Sequence, residues 1–485
     1  MFWRVWFFVT VFSIYGALAY LLFPGLMSPD ALFQYAQMKS GQISDLHPPI
    51  MIHLWRLVDP HIPGTAGLFV IQWGLYVTAV WLIAGTLYQS YIPRVLIAAL
   101  FMAPPMVVVL MTIWKDALMI GFLLLAVASI LKMATRPNLF WVVVALACLW
   151  MTAALRHNAI LSVLPLVGCL LYLIPRFHCR WCLTIKTLVL TGIIAATSTY
   201  VNRQNVTHID MLPTVAVWDL AAMSISTNTM LIPTYARKDP NLSIEKLKEL
   251  FDPMSNVPLC RFVPGSGRQI YCMEKIPLRA GNALPSDETD ALRHDWLQAI
   301  ADHPRAYIMH RMRLSCYLLN LCKALELPSK YRGFITASTP PAALSEAWYD
   351  GPDAQALGIA ATPKPSDIGE RIIERLTHWR ATTEVLSSWP YLALLLTMTI
   401  LAMTYPLQGR RHVISVCIQV SGWLMALPLI IIAPNFQLRY LVWPILCAVL
   451  SLCLFRIHPR VQAPEKSAAQ ATKKNPSRNF KKVAA

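Results

Sequence analysis

Apolar runs about twenty residues long, nearly free of charge, recur along this chain and limit what it can become. A helix rises about 1.5 Å per residue, so such a run matches ~30 Å of bilayer hydrocarbon. A helix apolar on every face suits a membrane better than a soluble core. Ten runs are visible, with soft edges: 5–24, 66–88, 93–113, 117–134, 138–155, 159–175, 183–200, 389–406, 413–433 and 439–456. Only 14% of the residues are charged and 56% are hydrophobic, whereas soluble domains carry about 25% charge. The expected fold is an all-α polytopic membrane protein of about ten transmembrane helices. The first run is expected to be a retained span. Arg4 is its only leading cation, and Pro24-Gly25-Leu26-Met27 follows it in place of a cleavage site of small residues.

Lys and Arg in the short loops set the orientation. One side collects Arg94, Lys132, Arg136, Arg176, Arg180, Lys186, Arg410 and Arg411, and the tail adds Arg460, Lys466, Lys473, Lys474, Arg478, Lys481 and Lys482. That side is expected to be the cytoplasm, with both termini there. On this scheme every Asp and Glu except Glu465 lies on the outer side.

Four parts follow: 1–200, a bundle with a long first outer loop, 25–65; 201–388, a polar, Pro-rich outer domain of α or α+β type; 389–457, three further helices; and 458–485, a disordered basic tail. Helical pieces are expected near 242–251 and 287–325, and 307–325 reads as an amphipathic helix at the membrane surface. The net charge of +17 is accounted for by cytoplasmic loops and tail, where it meets anionic headgroups rather than nucleic acid. Cys260 and Cys272 flank a strand–turn–strand pattern and are expected to pair in an oxidising compartment. Cys179 and Cys182 form a CxxC without the further ligands a zinc site needs.

The loop 25–65 carries the most chemistry. Ser28-Pro29-Asp30 is a cap, a first-turn proline and a first-turn acid, so Asp30 should open a short helix ending near Gly41. Asp45-Leu46-His47-Pro48-Pro49 then holds a carboxylate and an imidazole at a rigid bend, before a helix from Ile50 to about Leu57 that carries His53 and Trp55. This loop resembles the first external loop of the GT-C glycosyltransferases, multi-spanning enzymes that use lipid-phosphate sugars. Within them, the Asp-x-His-Pro-Pro pattern is similar to that of the protein O-mannosyltransferases. The chain differs at Ala31, where those enzymes carry a second acid beside the first.

The resemblance implies an inverting glycosyltransferase of a bacterial inner membrane, its active site facing the periplasm. The donor would be a polyprenyl-phosphate-linked sugar, and the acceptor an envelope glycan, lipid or protein. Asp30 would be the catalytic carboxylate, with Asp45, His47 and Asp116 as further catalytic candidates. Three outer turns supply cations for the leaving phosphate: Trp114-Lys115-Asp116, Arg156-His157-Asn158 and Arg439-Tyr440. Lys115, Arg156, His157, Arg439 and Tyr440 are therefore the substrate-binding candidates. Asp116 is either a second carboxylate or a ligand for Mg²⁺ or Mn²⁺. In the outer domain His303, Arg305, His310 and Arg311 either line an entrance or anchor the domain at the membrane surface, and the anchoring role is preferred. Two other classes fit the run pattern: an O-antigen polymerase or ligase, and a flippase for lipid-linked sugars. The chain shows no Walker loop, GxSxG elbow or HExxH motif.

Overall fold

The computed structural model describes residues 2–174, 180–210, 212–237, 241–254, 259, 286–322, 366–382, 384–405, 409–433 and 437–455. It is a helical membrane protein. Five helices are long and apolar enough to cross a bilayer: α1 (Phe2–Leu22), α4 (Ala66–Leu87), α7 (Lys115–Thr135), α10 (Arg180–Asn202) and α17 (Arg410–Ile432). A bent pair, α5 (Tyr91–Leu100) and α6 (Pro104–Leu110), makes up to six. Shorter apolar helices occupy the remaining runs: α8 (Leu139–Leu155), α9 (Ile160–Tyr172), α16 (Trp389–Thr404) and α18 (Val442–Leu454). The remaining helices are α2 (Pro29–Ser40), α3 (Ile50–Val58), α11 (Leu212–Thr227), α12 (Ile244–Leu250), α13 (Ser286–Asp302), α14 (Pro304–Leu319) and α15 (Asp367–Thr382).

α7 is the central post, packed on α4 and α8, while α17 is held between α9 and α18. Close approach is set by small residues. A Cβ on Gly422 of α17 would meet the Cys447 Cβ of α18 at 2.9 Å. Hydrogen bonds then lock three helices together, Trp443 Nε1 donating to Ser421 Oγ (2.9 Å) and Ser421 Oγ to the Ser162 carbonyl (2.7 Å). Such bonds matter where water is absent to compete.

The run 93–113 is broken, as Pro104-Pro105 suggests. α5 and α6 meet at 64°. Proline has no N–H and the residue before it avoids the helical region. The carbonyls freed at the break and at the end of α6 need partners inside the bundle, and α4 provides them, with Tyr76 Oη donating to the Phe101 carbonyl at 2.6 Å. Gln72 Nε2 reaches the Leu110 carbonyl at 2.7 Å and the Thr112 carbonyl at 3.3 Å, and Trp73 Nε1 reaches Leu110 at 3.0 Å. α6 ends at Leu110, and Thr112-Ile113 beyond it forms the short strand β2 parallel to β1, Leu26-Met27, in register Leu26↔Thr112 and Met27↔Ile113. The apolar periodicity gave no sign of this pairing.

The expected helix over 287–325 is two helices. His303 sits out of the helical region at φ −128°, immediately before Pro304, so α13 and α14 meet at a corner. Ser243 caps α12 as its position suggests, accepting from Lys246 N at 3.2 Å. Among the described residues the outer segment is helical, and Met1–Leu454 forms one compact unit. Cys260, Cys272 and Cys179 lie outside the described residues, and Cys182 is an exposed thiol. A disulfide joins Cys316 and Cys322, where Asn320 ends α14 in the left-handed region.

Candidate functional site

After α1 the chain turns through Gly25, whose φ of +87° suits glycine and where a Cβ would stand 2.5 Å from the Phe69 ring. It then pairs with β2 and enters α2 with Ser28 Oγ accepting from Ala31 N at 3.1 Å. Because the two strands are parallel, the residues following each leave the pairing side by side. Those residues are Asp30 on one and Lys115-Asp116 on the other. α2 ends at Gly41 in the left-handed conformation, as expected.

A contiguous set of charged groups results. Arg439, in a 3₁₀ turn (Leu438–Leu441) before α18, places Nη2 2.6 Å from Asp30 Oδ2 and Nε 3.8 Å from Asp116 Oδ2. Arg156, between α8 and α9, pairs directly with Asp116 and gives its Nε–H to Asn158 at 2.8 Å. His47 presents Nε2 to Asp30 at 3.7 Å and Nδ1 to Lys115 Nζ at 3.0 Å. Aromatic faces hold the guanidinium groups flat, Arg156 4.6 Å over Tyr440 and Arg439 4.9 Å over Trp114. The Phe33 ring meets His47 edge to face.

Lys115, Arg156 and Arg439 bring three positive charges against the two negative charges of Asp30 and Asp116. Each buried ion costs several kcal/mol unless its field is answered, so the set favours an anion alongside it. The two acids differ in access: the Asp116 side chain is fully buried, that of Asp30 23% exposed. Asp116 therefore positions two arginines, and Asp30 can be reached. The Asp116 oxygens face guanidinium groups, which fits poorly with a metal-ligand role. Among the described residues no three His, Cys, Asp or Glu side chains are grouped to hold a metal ion.

Seven expected residues thus converge: Asp30, His47, Lys115, Asp116, Arg156, Arg439 and Tyr440. Two do not. Asp45 accepts from His208 Nδ1 (2.6 Å) and Ile209 N (2.7 Å), tying its loop to the chain after α10. These bonds brace the loop and hold Asp45 apart from the Asp30 set. His157 is exposed and stands outside these contacts. Asn202 was not anticipated. Its Oδ1 accepts from Ile50 N (3.1 Å) and its Nδ2 donates to the Ala154 carbonyl (2.7 Å), so it fixes α3 to the end of α8 just before Arg156. An asparagine at the end of an apolar run was the only signal for it.

His310 and Arg311 are buried, which corrects their expected surface-anchor role. Asp219 of α11, wholly buried, takes Arg311 Nη2 at 2.5 Å, His310 Nε2 at 3.3 Å and Trp296 Nε1 at 3.1 Å. Burial pushes the His310 imidazole below its usual range, against the opposite pull of Asp219. Comparison with known proteins finds no matching family model, no matching curated protein and no matching solved structure.

Proposed function

We propose that this chain is an inverting GT-C-type glycosyltransferase of a bacterial inner membrane. It would carry a sugar from a polyprenyl-phosphate carrier to an external glycan, lipid or protein. The observation that carries this reading is a reachable carboxylate, Asp30, at the end of the first span and beside a buried excess of cations. A lipid-tethered donor presents its phosphate at that depth, and the excess positive charge is what a phosphate needs.

The chain's own groups then have distinct tasks. In the resting arrangement Arg439 engages Asp30. A donor phosphate competes for that guanidinium and frees the carboxylate. Asp30 accepts the proton of the acceptor hydroxyl as its oxygen attacks the anomeric carbon. The bond from that carbon to the phosphate oxygen breaks, and the phosphate leaves with the electron pair, held by Arg439, Arg156 and Lys115. A Lys115 ammonium has only donors to offer, so Nδ1 of His47 accepts and the ring proton sits on Nε2, facing Asp30. The reading also includes ten spans, with both termini cytoplasmic and the site periplasmic. The Cys316–Cys322 disulfide near the outer ends of α16 and α17 supports that side, since disulfides persist in oxidising compartments. In the ligase alternative, key Arg and His residues sit in the large outer loop, and of the candidates there His310 and Arg311 are engaged by Asp219.

Purified protein in vesicles is expected to transfer labelled sugar from a polyprenyl-phosphate donor to an envelope extract. Asp30→Asn keeps size and helix start but cannot serve as a base near neutral pH. Its turnover is expected to fall by about 10²–10⁴, with donor affinity changed less. Wild-type turnover in Asp30→Asn would reject the role of Asp30. Movement of intact lipid-linked sugar across the bilayer without transfer would reject the enzyme.

A further inference from the structure

α14 carries polar anchors on one face and an apolar stripe on the other. The inner face sets His310, Arg311, Leu314 and Leu318 into the protein. The outer face leaves Ile308, Met309 and Met312 exposed, bracketed by exposed Arg305 and Arg313. No Asp or Glu occurs in α14 to pair with those arginines within the helix.

Hydrogen bonds fix where this face lies. Arg311 Nη1 donates to the Ala433 carbonyl (3.1 Å) and Ser315 Oγ to the Ile430 carbonyl (2.5 Å), at the last turn of α17. Ser388 Oγ, at the start of α16, donates to the Leu318 carbonyl at 2.9 Å. α14 therefore crosses the ends of two apolar helices. In that last turn α17 turns Ile431 and Ile432 outward. Ile431 is 59% exposed and Met312 on α14 is 60% exposed. The outward apolar face of α17, which a bilayer must cover, continues onto α14.

We propose that the exposed face of α14 is seated in the adjacent lipid leaflet, with Ile308, Met309 and Met312 among the upper acyl carbons and Arg305 and Arg313 on the phosphates of anionic phospholipid. The occupant is lipid rather than a protein partner because the stripe is continuous with a lipid-facing span and is framed by unlike chemistry, apolar centre and cationic edges. The inference stands on the membrane character of the chain and does not need the glycosyltransferase reading.

The full-length protein, with Cys179, Cys182, Cys260 and Cys272 each replaced by Ser so that they take no label, receives a nitroxide at Met309→Cys and, separately, at Met312→Cys. It is reconstituted in vesicles of phosphatidylcholine with phosphatidylglycerol. Gln298→Cys on α13 gives the aqueous reference, and Leu396→Cys in the middle of α16 the bilayer reference. Labels at 309 and 312 should collide with oxygen more than with a water-soluble nickel chelate, at a depth between the two references. Nickel access equal to that at 298 would place the face in water. Protection from both reagents would mean that protein covers it. Either result overturns the proposal. For the charged edges, Arg305→Gln with Arg313→Gln should reduce the preference for spin-labelled phosphatidylglycerol over phosphatidylcholine by about fivefold per arginine. An unchanged preference would overturn the phosphate contact.

Discussion

At the level of single residues, Asp116 and Arg156 have the clearest energetic relation. Both are buried, and each answers the other's charge. Removing one partner leaves an uncompensated ion, which costs about 3–5 kcal/mol. Asp116→Asn and Arg156→Gln should each lower thermal stability in detergent, and the double variant should be less destabilised than the sum of the two. Additive losses would show that the two side chains do not act as a pair. Asp59 offers a test by pH. It accepts from Tyr35 (2.8 Å), Lys39 (2.6 Å) and Gly64 N (3.0 Å), bracing α2 against α3. Burial pushes its carboxyl up, but the hydrogen bonds from Lys39, Gly64 and Tyr35 outweigh this and hold it below the usual range. A depressed carboxyl stabilises the fold fully above the unfolded value near ~4 and loses that contribution as pH falls through the folded value. Asp59→Asn should therefore destabilise by about 1.5–3 kcal/mol at neutral pH, the Lys39 arm contributing least because it is 40% exposed. The gap to wild type in thermal unfolding should close in acid. The site residues were legible because each is a charge stranded at the end of an apolar run, and one face collected them. Their pairing was not legible: nothing in spacing says that Asp116 faces Arg156 while Asp45 faces His208.

At the level of elements, the end of α6 at Leu110 is what aligns the site. Without it Thr112-Ile113 would be helical and could not align with Leu26-Met27. Prolines in the sequence foretold the bend, but the donor to the Leu110 and Thr112 carbonyls, Gln72 on a different span, could not be read from a run of apolar residues. Gln72→Leu is isosteric enough to pack but offers no donor, so the Leu110 and Thr112 carbonyls lose a partner. The expected cost is about 1–3 kcal/mol, with a larger fall in transfer activity than an equal destabilisation placed at the far end of α17. Equal effects from both sites would show that the broken segment has no special link to the site. The capping of α2 by Ser28 and the left-handed stop at Gly41, by contrast, follow from local chemistry alone and were visible from the start.

For the whole molecule, alternation of charge between loops gives the topology its test. Reporter fusions at 90, 180 and 410 should read cytoplasm, and those at 230 and 340 periplasm. A periplasmic signal at 180 would overturn the arrangement of ten spans. Thiol alkylation of unreduced, denatured protein should leave Cys316 and Cys322 unlabelled. Labelling of both would remove the disulfide and with it one support for the outer placement of α14.

Asp30 and Arg439 meet across 409 positions of sequence. A ribosome delivers the acid with the first span and its cation only with the last. Through most of synthesis the membrane must therefore hold an incomplete cluster, whose charges have their neutral alternatives or water as company. A chain truncated before 439 would keep nearly all of its apolar helices, but Lys115 and Arg156 would then only balance Asp30 and Asp116, and the excess of positive charge would be missing.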